Sequence, residues 1–141
     1  MLDSEEFERR RWRVAVLADE ARQGDLIDFL RRHRELVMGW SFVSTEPTAT
    51  AIARELVLRV RREVPALHAD LAEGAIDALI VLRAREEDGP TTALLSLADA
   101  LNVPVATNLG SARCLVLALA PRGRPTYRSW RVPRSSTPAV L

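Results

Sequence analysis

Four polar groupings in this sequence carry residue types that could do chemistry. They are Asp19-Glu20 with Arg22 close behind, the hydroxyl-rich Ser44-Thr45-Glu46-Pro47-Thr48-Ala49-Thr50, the charged run 83–89, and Thr107-Asn108. Carboxylates can move protons, while hydroxyls, a guanidinium and an amide can hold an anion. Together they suit a small anionic metabolite. Histidine offers less: His33 follows a helical stretch, where its ring suits the last carbonyls, and His68, which could approach the site, reads rather as a surface or partly buried position. The sequence contains no G-x-G-x-x-G, no P-loop, no Cys/His cluster and no nucleophile elbow, so dinucleotide, nucleotide and zinc chemistry lack support and no cofactor or metal is expected.

These groupings matter only if elements bring them together. Asp77-Ala78-Leu79-Ile80-Val81-Leu82 and Val103-Pro104-Val105-Ala106 are short apolar runs, and residues 91–100 between them place Leu94, Leu95, Leu97 and Ala98 at helical spacing. Strand, helix and strand in that order form a βαβ unit, which demands parallel pairing and cover on both sheet faces. Upstream, Val14-Ala15-Val16-Leu17-Ala18 reads as a first buried strand, with a helix following from Gly24-Asp25 through Arg34. Trp40-Ser41-Phe42-Val43 reads as a second strand, and the hydroxyl-rich turn then feeds a helix over 51–60. Residues 61–66 are the least regular interior piece, Leu67 to Glu73 reads as a short helix closed by Gly74, and 111–120 as a final helix. Tyr127 to Val132 alternates enough for an edge strand. The expectation is a single three-layer α/β/α domain with a mainly parallel, doubly wound sheet: an extension over 1–12, the domain over 13–120, and an Arg/Pro-rich segment over 121–141.

In such a sheet, ligands bind at the carboxyl ends of the strands, where all four polar groupings fall. The turn at 44–50 admits two readings: its donors could cradle a phosphate at a helix N-terminus, or one hydroxyl could simply cap the helix with Pro47 setting the turn.

Composition sets outer bounds. The chain has 141 residues, 48% hydrophobic and 28% charged, with a net charge of +1, which gives no argument for a nucleic-acid partner. All 20 basic residues are arginine, so lysine can play no catalytic or phosphate-binding role. The one cysteine, Cys114, lies in an apolar run and is expected to be a small buried hydrophobe. An acidic N-terminal stretch and the lack of a run of about 20 apolar residues predict a cytoplasmic protein outside the membrane.

Several segments carry a likeness, and the last two are specific: Val14 to Ala18, the helix ending Arg32-His33, the turn Thr45 to Thr50, Glu73-Gly74-Ala75-Ile76-Asp77-Ala78-Leu79-Ile80, and Ala93-Leu94-Leu95 through Asn102-Val103-Pro104-Val105-Ala106-Thr107-Asn108. Over about 13–120 the chain resembles the methylglyoxal synthase family and the wider methylglyoxal-synthase-like domain. The resemblance implies that fold and a homo-oligomer, a hexamer. For synthases it implies conversion of dihydroxyacetone phosphate to methylglyoxal and phosphate. That chemistry needs a carboxylate base, an electrophile for the enediolate and a phosphate cradle. The family supplies a Gly-Gly-Asp loop, a histidine in an acidic loop, an Ala-His-Asp after the first strand, a nearby lysine and a Thr-Gly-Thr-Thr-Gly cradle.

This sequence departs from most of that set. The base position falls at Val64, the histidine at Glu87, the following aspartate at Pro90, and the lysine at Gln23 beside Arg22. Ala-His-Asp becomes Ala18-Asp19-Glu20, and the cradle becomes Thr45-Glu46-Pro47-Thr48-Ala49. The expectation is a catalytically impaired family member that binds a small phosphorylated or anionic metabolite through Ser44, Thr45, Thr48, Thr50, Arg22 and Asn108. Glu63, Asp19 and Glu20 stand as candidate replacement carboxylates. The alternatives are an active synthase and an oligomeric protein-interaction module.

Overall fold

Ala78-Leu79-Ile80-Val81-Leu82 has no polar side chain, so it can be a strand only where both faces are covered. It forms β4 (Ala78–Leu82), and all five residues are buried. The computed structural model describes residue 5 and residues 11–62, 67–83 and 89–120. Among them, β4 pairs with β1 (Arg13–Ala18), β1 with β2 (Ser41–Ser44), β2 with β3 (Val60–Arg62), and β4 with β5 (Val105–Ala106). Every pairing is parallel and the order is β3-β2-β1-β4-β5. The helices are α1 (Gln23–Arg32), α2 (Arg34–Val37), α3 (Thr48–Ala51) continued by a π-helical segment Ile52–Leu56, α4 (Leu67–Ala72), α5 (Gly89–Ala100) and α6 (Leu109–Leu119).

Strand alternation sorts the core into two layers. Val14 and Val16 of β1 and Ala78, Ile80 and Leu82 of β4 pack with Leu26 and Leu30 of α1, Ile52 and Leu56, and Ala112, Val116 and Leu119 of α6. Ala15, Leu79 and Val81 face the other way, onto Leu67 and Leu71 of α4 and Leu94 and Ala98 of α5. Successive strand residues point to opposite faces, so one uninterrupted apolar strand serves both layers. The result is the α/β sandwich with helices on both faces of a parallel sheet that the sequence predicts.

Polar groups at the lower rim fix the β1–β4 register. Asp77, fully buried, donates its N–H to the Arg13 carbonyl at 2.7 Å and accepts from the Arg13 N–H through Oδ2 at 2.9 Å. The indole N–H of buried Trp12 donates to the Leu119 carbonyl at 3.0 Å, tying the start of β1 to the last turn of α6. Gly74 ends α4 with φ 84°, the left-handed conformation expected for its C-cap.

Four expectations shift. The helix placed over 51–60 begins at Thr48, and its helical turns stop at Leu56, where Val57 takes φ 53° and turns the chain. Val60, placed at the end of that helix, and Arg61-Arg62, read as irregular, form the edge strand β3; with two arginines and three residues it has no alternation to detect. The helix read through Arg34 breaks at His33 into α1 and α2. Cys114 is exposed rather than buried, because helical periodicity turns Ala112, Val116 and Leu119 inward and leaves position 114 outside. The edge strand expected at 127–132 lies outside the described residues.

Candidate functional site

The strand order places the crevice. From β1 the chain moves outward through β2 to β3 and then returns to β4 on the other side of β1, so the winding reverses between β1 and β4. The helices that follow β1 and β4 pack on opposite faces, and in open parallel sheets ligands bind at such a switch point. The Asp19 N–H donates to the Leu82 carbonyl at 3.0 Å, joining the two strand ends. Asp19 is half-buried and Glu20 exposed, and Glu20 opens a short 3₁₀ turn ending at Arg22. Arg22 donates from Nε to Asp25 Oδ2 at 2.9 Å and reaches the Arg83 carbonyl at 3.4 Å, spanning the crevice.

The hydroxyl-rich turn follows β2, next to this point. Ser44 is completely buried and its hydroxyl donates to the Val16 carbonyl at 2.6 Å, so that proton is committed within the fold. Thr48, also buried, donates to Gln23 Oε1 at 3.3 Å, linking the turn to the first turn of α1. Thr45 is half-buried, and its carbonyl accepts from the Ala49 N–H at 2.9 Å. The Glu46–Pro47 bond is cis.

Glu46 occupies the centre of this turn. Its Oε1 accepts from the Thr50 N–H at 2.9 Å, its two oxygens lie 2.9 and 2.7 Å from the Thr50 hydroxyl, and Oε2 pairs with Arg62 Nε at 2.9 Å. The Thr50 hydroxyl and N–H, with the Arg62 guanidinium, hold the Glu46 carboxyl below its ordinary pKa of 4.5, against some opposing desolvation. A backbone N–H, a hydroxyl and a guanidinium are the donors an anionic ligand would seek, and a carboxylate of the chain already takes them. Sequence reading missed this network. Glu46 and Thr50 lie one helical turn apart, a spacing visible in the sequence, but Arg62 joins only because β3 pairs with β2, setting Ser44 opposite Arg62.

Asn108 sits at the carboxyl end of β5 and caps α6. Its Oδ1 accepts from the Ser111 N–H at 2.8 Å, and Ser111 Oγ accepts from the Asn108 N–H at 3.3 Å. Of the residues expected to bind a ligand, the structure thus gathers Arg22, Ser44, Thr45, Thr48 and Thr50 around the ends of β1 and β2 and sets Asn108 beyond β4. Glu63 and Glu87 lie outside the described residues.

No protein-family model matches the chain. It is 31% identical over 121 residues to a methylglyoxal synthase of Ralstonia nicotianae, covering 78% of this chain and 90% of that one. It is 33% identical over 119 residues to a methylglyoxal synthase of Burkholderia ambifaria, covering 77% and 92%. The chain belongs to the methylglyoxal synthase family. A methylglyoxal synthase of Cupriavidus metallidurans is 32% identical over 123 residues, covering 79% and 88%. The crystal structure of a methylglyoxal synthase from Elizabethkingia anophelis superposes with a TM-score of 0.67 over 76% of this chain and 78% of that one; at 20% identity it speaks to the fold.

Neither histidine of this family member hydrogen-bonds to a strand-end side chain among the described residues. His33 Nδ1 contacts the Phe29 carbonyl at 2.8 Å and its ring packs on Phe29 at 4.3 Å, as its place after a helix suggests, while His68 is exposed on α4. Among the described residues no three His, Cys, Asp or Glu side chains gather closely enough to hold a metal ion, and no helix is long and apolar enough to cross a membrane.

Proposed function

We propose that this chain is a catalytically impaired member of the methylglyoxal synthase family whose strand-end crevice binds a small phosphorylated or carboxylated metabolite, working as a cytoplasmic homo-oligomer, a hexamer. The observation that carries the impairment is Glu46. Its carboxylate engages the Thr50 N–H, the Thr50 hydroxyl and Arg62 in the turn that would cradle a phosphate. A dianionic phosphate brought there meets a negative charge and finds those donors engaged. Asp19 and Glu20 stand where an imidazole and a carboxylate are expected, so the end of β1 adds negative charge too. Loss of a general base lowers a rate by about 10²–10⁴-fold and loss of an oxyanion donor by a similar factor. Both losses together leave little turnover.

Retained binding rests on the other side of the crevice. Arg22 spans it toward the Arg83 carbonyl, and the half-buried Thr45 has no hydrogen-bond partner for its hydroxyl among the described residues. A smaller or singly charged oxyanion fits that donor set without displacing Glu46. An active synthase is the second reading, supported by 31% to 33% identity to proteins named methylglyoxal synthase over about nine-tenths of their length; Glu63 is then the replacement base.

One assay separates the readings: methylglyoxal formation from dihydroxyacetone phosphate by the purified protein, beside Glu63→Gln, with phosphate-induced thermal stabilisation read on the same samples. No turnover with a phosphate-dependent shift is the expected result. Turnover that vanishes in the Glu63 variant establishes the active synthase, and neither turnover nor a shift leaves the interaction module. Thr45→Ala and Thr48→Ala reduce the shift under either ligand-binding reading.

A further inference from the structure

On the helical flank of the molecule, a cavity of about 340 Å³ opens between α1 and α6, lined on one side by Phe29, Arg32 and His33 and on the other by Leu109, Gly110 and Arg113. This volume lies within the range of sites that take small molecules. Two aspartates, Asp25 and Asp28, also line it, and both are already matched. Asp25 pairs with Arg22 at 2.9 Å and Asp28 with Arg31 at 2.8 Å. Arg32 and Arg113 have no such match: neither makes a hydrogen bond or ion pair to any described residue. The charge left over in the cavity is therefore positive and belongs to these two guanidiniums, one from each helix.

The rest of the wall is suited to a ligand with a carbon body. Phe29 and Leu109 are apolar, and Gly110 presents bare backbone whose nearest non-neighbour atom to a built Cβ is Asn108 Oδ1 at 3.3 Å. His33 contacts the Phe29 carbonyl through Nδ1, which places the proton on that nitrogen and leaves Nε2 for another partner. A second cavity of about 420 Å³ adjoins, sharing Arg32 and His33 and adding Arg31 and Arg34. Both of those arginines are engaged, Arg31 with Asp28 and Glu55, Arg34 with the Leu56 carbonyl. Arg32 and Arg113 remain the pair with donors to spare.

We propose that the cavity between α1 and α6 is a second binding site for a phosphate group, free or carried by a small phosphorylated metabolite, held between Arg32 and Arg113. Forked guanidiniums from two helices can each bond a different pair of phosphate oxygens, and a dianion satisfies both charges. The site is distinct from the strand-end crevice, since none of the strand-end hydroxyls lines it.

The test is an amide NMR titration of the full chain at constant ionic strength, with inorganic phosphate in one arm, glycerol 3-phosphate in a second and chloride alone in a third. Saturable shifts at Gly110 and Arg113 in the phosphate arms are expected, with an affinity of roughly 1–10 mM for so open a site. Arg32→Gln with Arg113→Gln weakens them about 10- to 100-fold, the loss expected for charge-assisted hydrogen bonds, while any shifts at Asp19 and Thr45 persist. Both arginines are exposed, so the dispersed spectrum of the variant itself reports an intact fold. Tighter binding of the ester assigns the apolar wall to a metabolite, and equal binding assigns the site to free phosphate. A Gly110 titration unchanged by the double variant, or reproduced by chloride, overturns the proposal.

Discussion

Ser44→Ala separates a hydroxyl that holds the fold from one that holds a ligand. The Ser44 side chain is fully buried and its hydroxyl donates to the Val16 carbonyl at 2.6 Å; a second contact, to the Thr45 carbonyl, is long at 3.4 Å. The β1–β2 register covers Arg13, Val14 and Ala15 opposite Ser41, Phe42 and Val43, so Val16 lies just past the last paired residue. The hydroxyl serves a carbonyl there that alanine would leave unpaired in a buried setting. Leaving a buried acceptor unsatisfied costs about 1–3 kcal/mol, and the cavity left by one oxygen adds little. For a chain of this size each kcal/mol lowers the melting temperature by roughly 3–5 °C, so the variant should melt roughly 3–15 °C lower. Urea unfolding with an unchanged m-value gives the same loss as a shift in midpoint. Phosphate-induced stabilisation, measured from each protein's own baseline, should be the same in both. A variant as stable as the parent but with the phosphate response gone would refute the assignment and return Ser44 to the ligand set.

Asp77→Ala removes a buried acceptor from the Arg13 N–H and a carboxylate 3.6 Å from Nε of the partly exposed Arg13 side chain, and should cost about 1–3 kcal/mol by urea unfolding, most of it from the unpaired N–H. Val57 holds φ 53° with its side chain 76% exposed, so Val57→Gly relieves a left-handed β-branched residue and should raise stability by about 1 kcal/mol, read in the same assay. Glu46 has its folded pKa below its unfolded value of 4.5; its contribution is full above pH 4.5 and is lost as pH falls through the lower folded value. Melting curves from pH 3 to pH 7 should therefore show a steeper acid limb for the parent than for Glu46→Gln, and parallel limbs would contradict the network.

Much of the architecture is written locally. β4 could be located because five consecutive apolar residues admit few other placements, and Gly74 because a positive φ favours glycine. β3 could not, since Val60-Arg61-Arg62 becomes a strand only through the neighbour it pairs with. Cys114 was misplaced for a related reason: an apolar run gives the composition of a helix, while the phase that turns one residue outward is set by what the helix packs against.

The sequence by itself determined that this is a parallel α/β chain of the methylglyoxal synthase family, with its polar groupings at the strand ends, because apolar periodicity and turn chemistry are short-range properties. Tertiary structure alone decided how those groups are used. It buried the Ser44 hydroxyl against Val16, brought Arg62 from the sheet edge onto Glu46, and left Arg32 and Arg113 unmatched across a cavity between α1 and α6. A hydrogen bond or ion pair depends on a partner that lies far away in sequence, and only the packed sheet and helices set that distance.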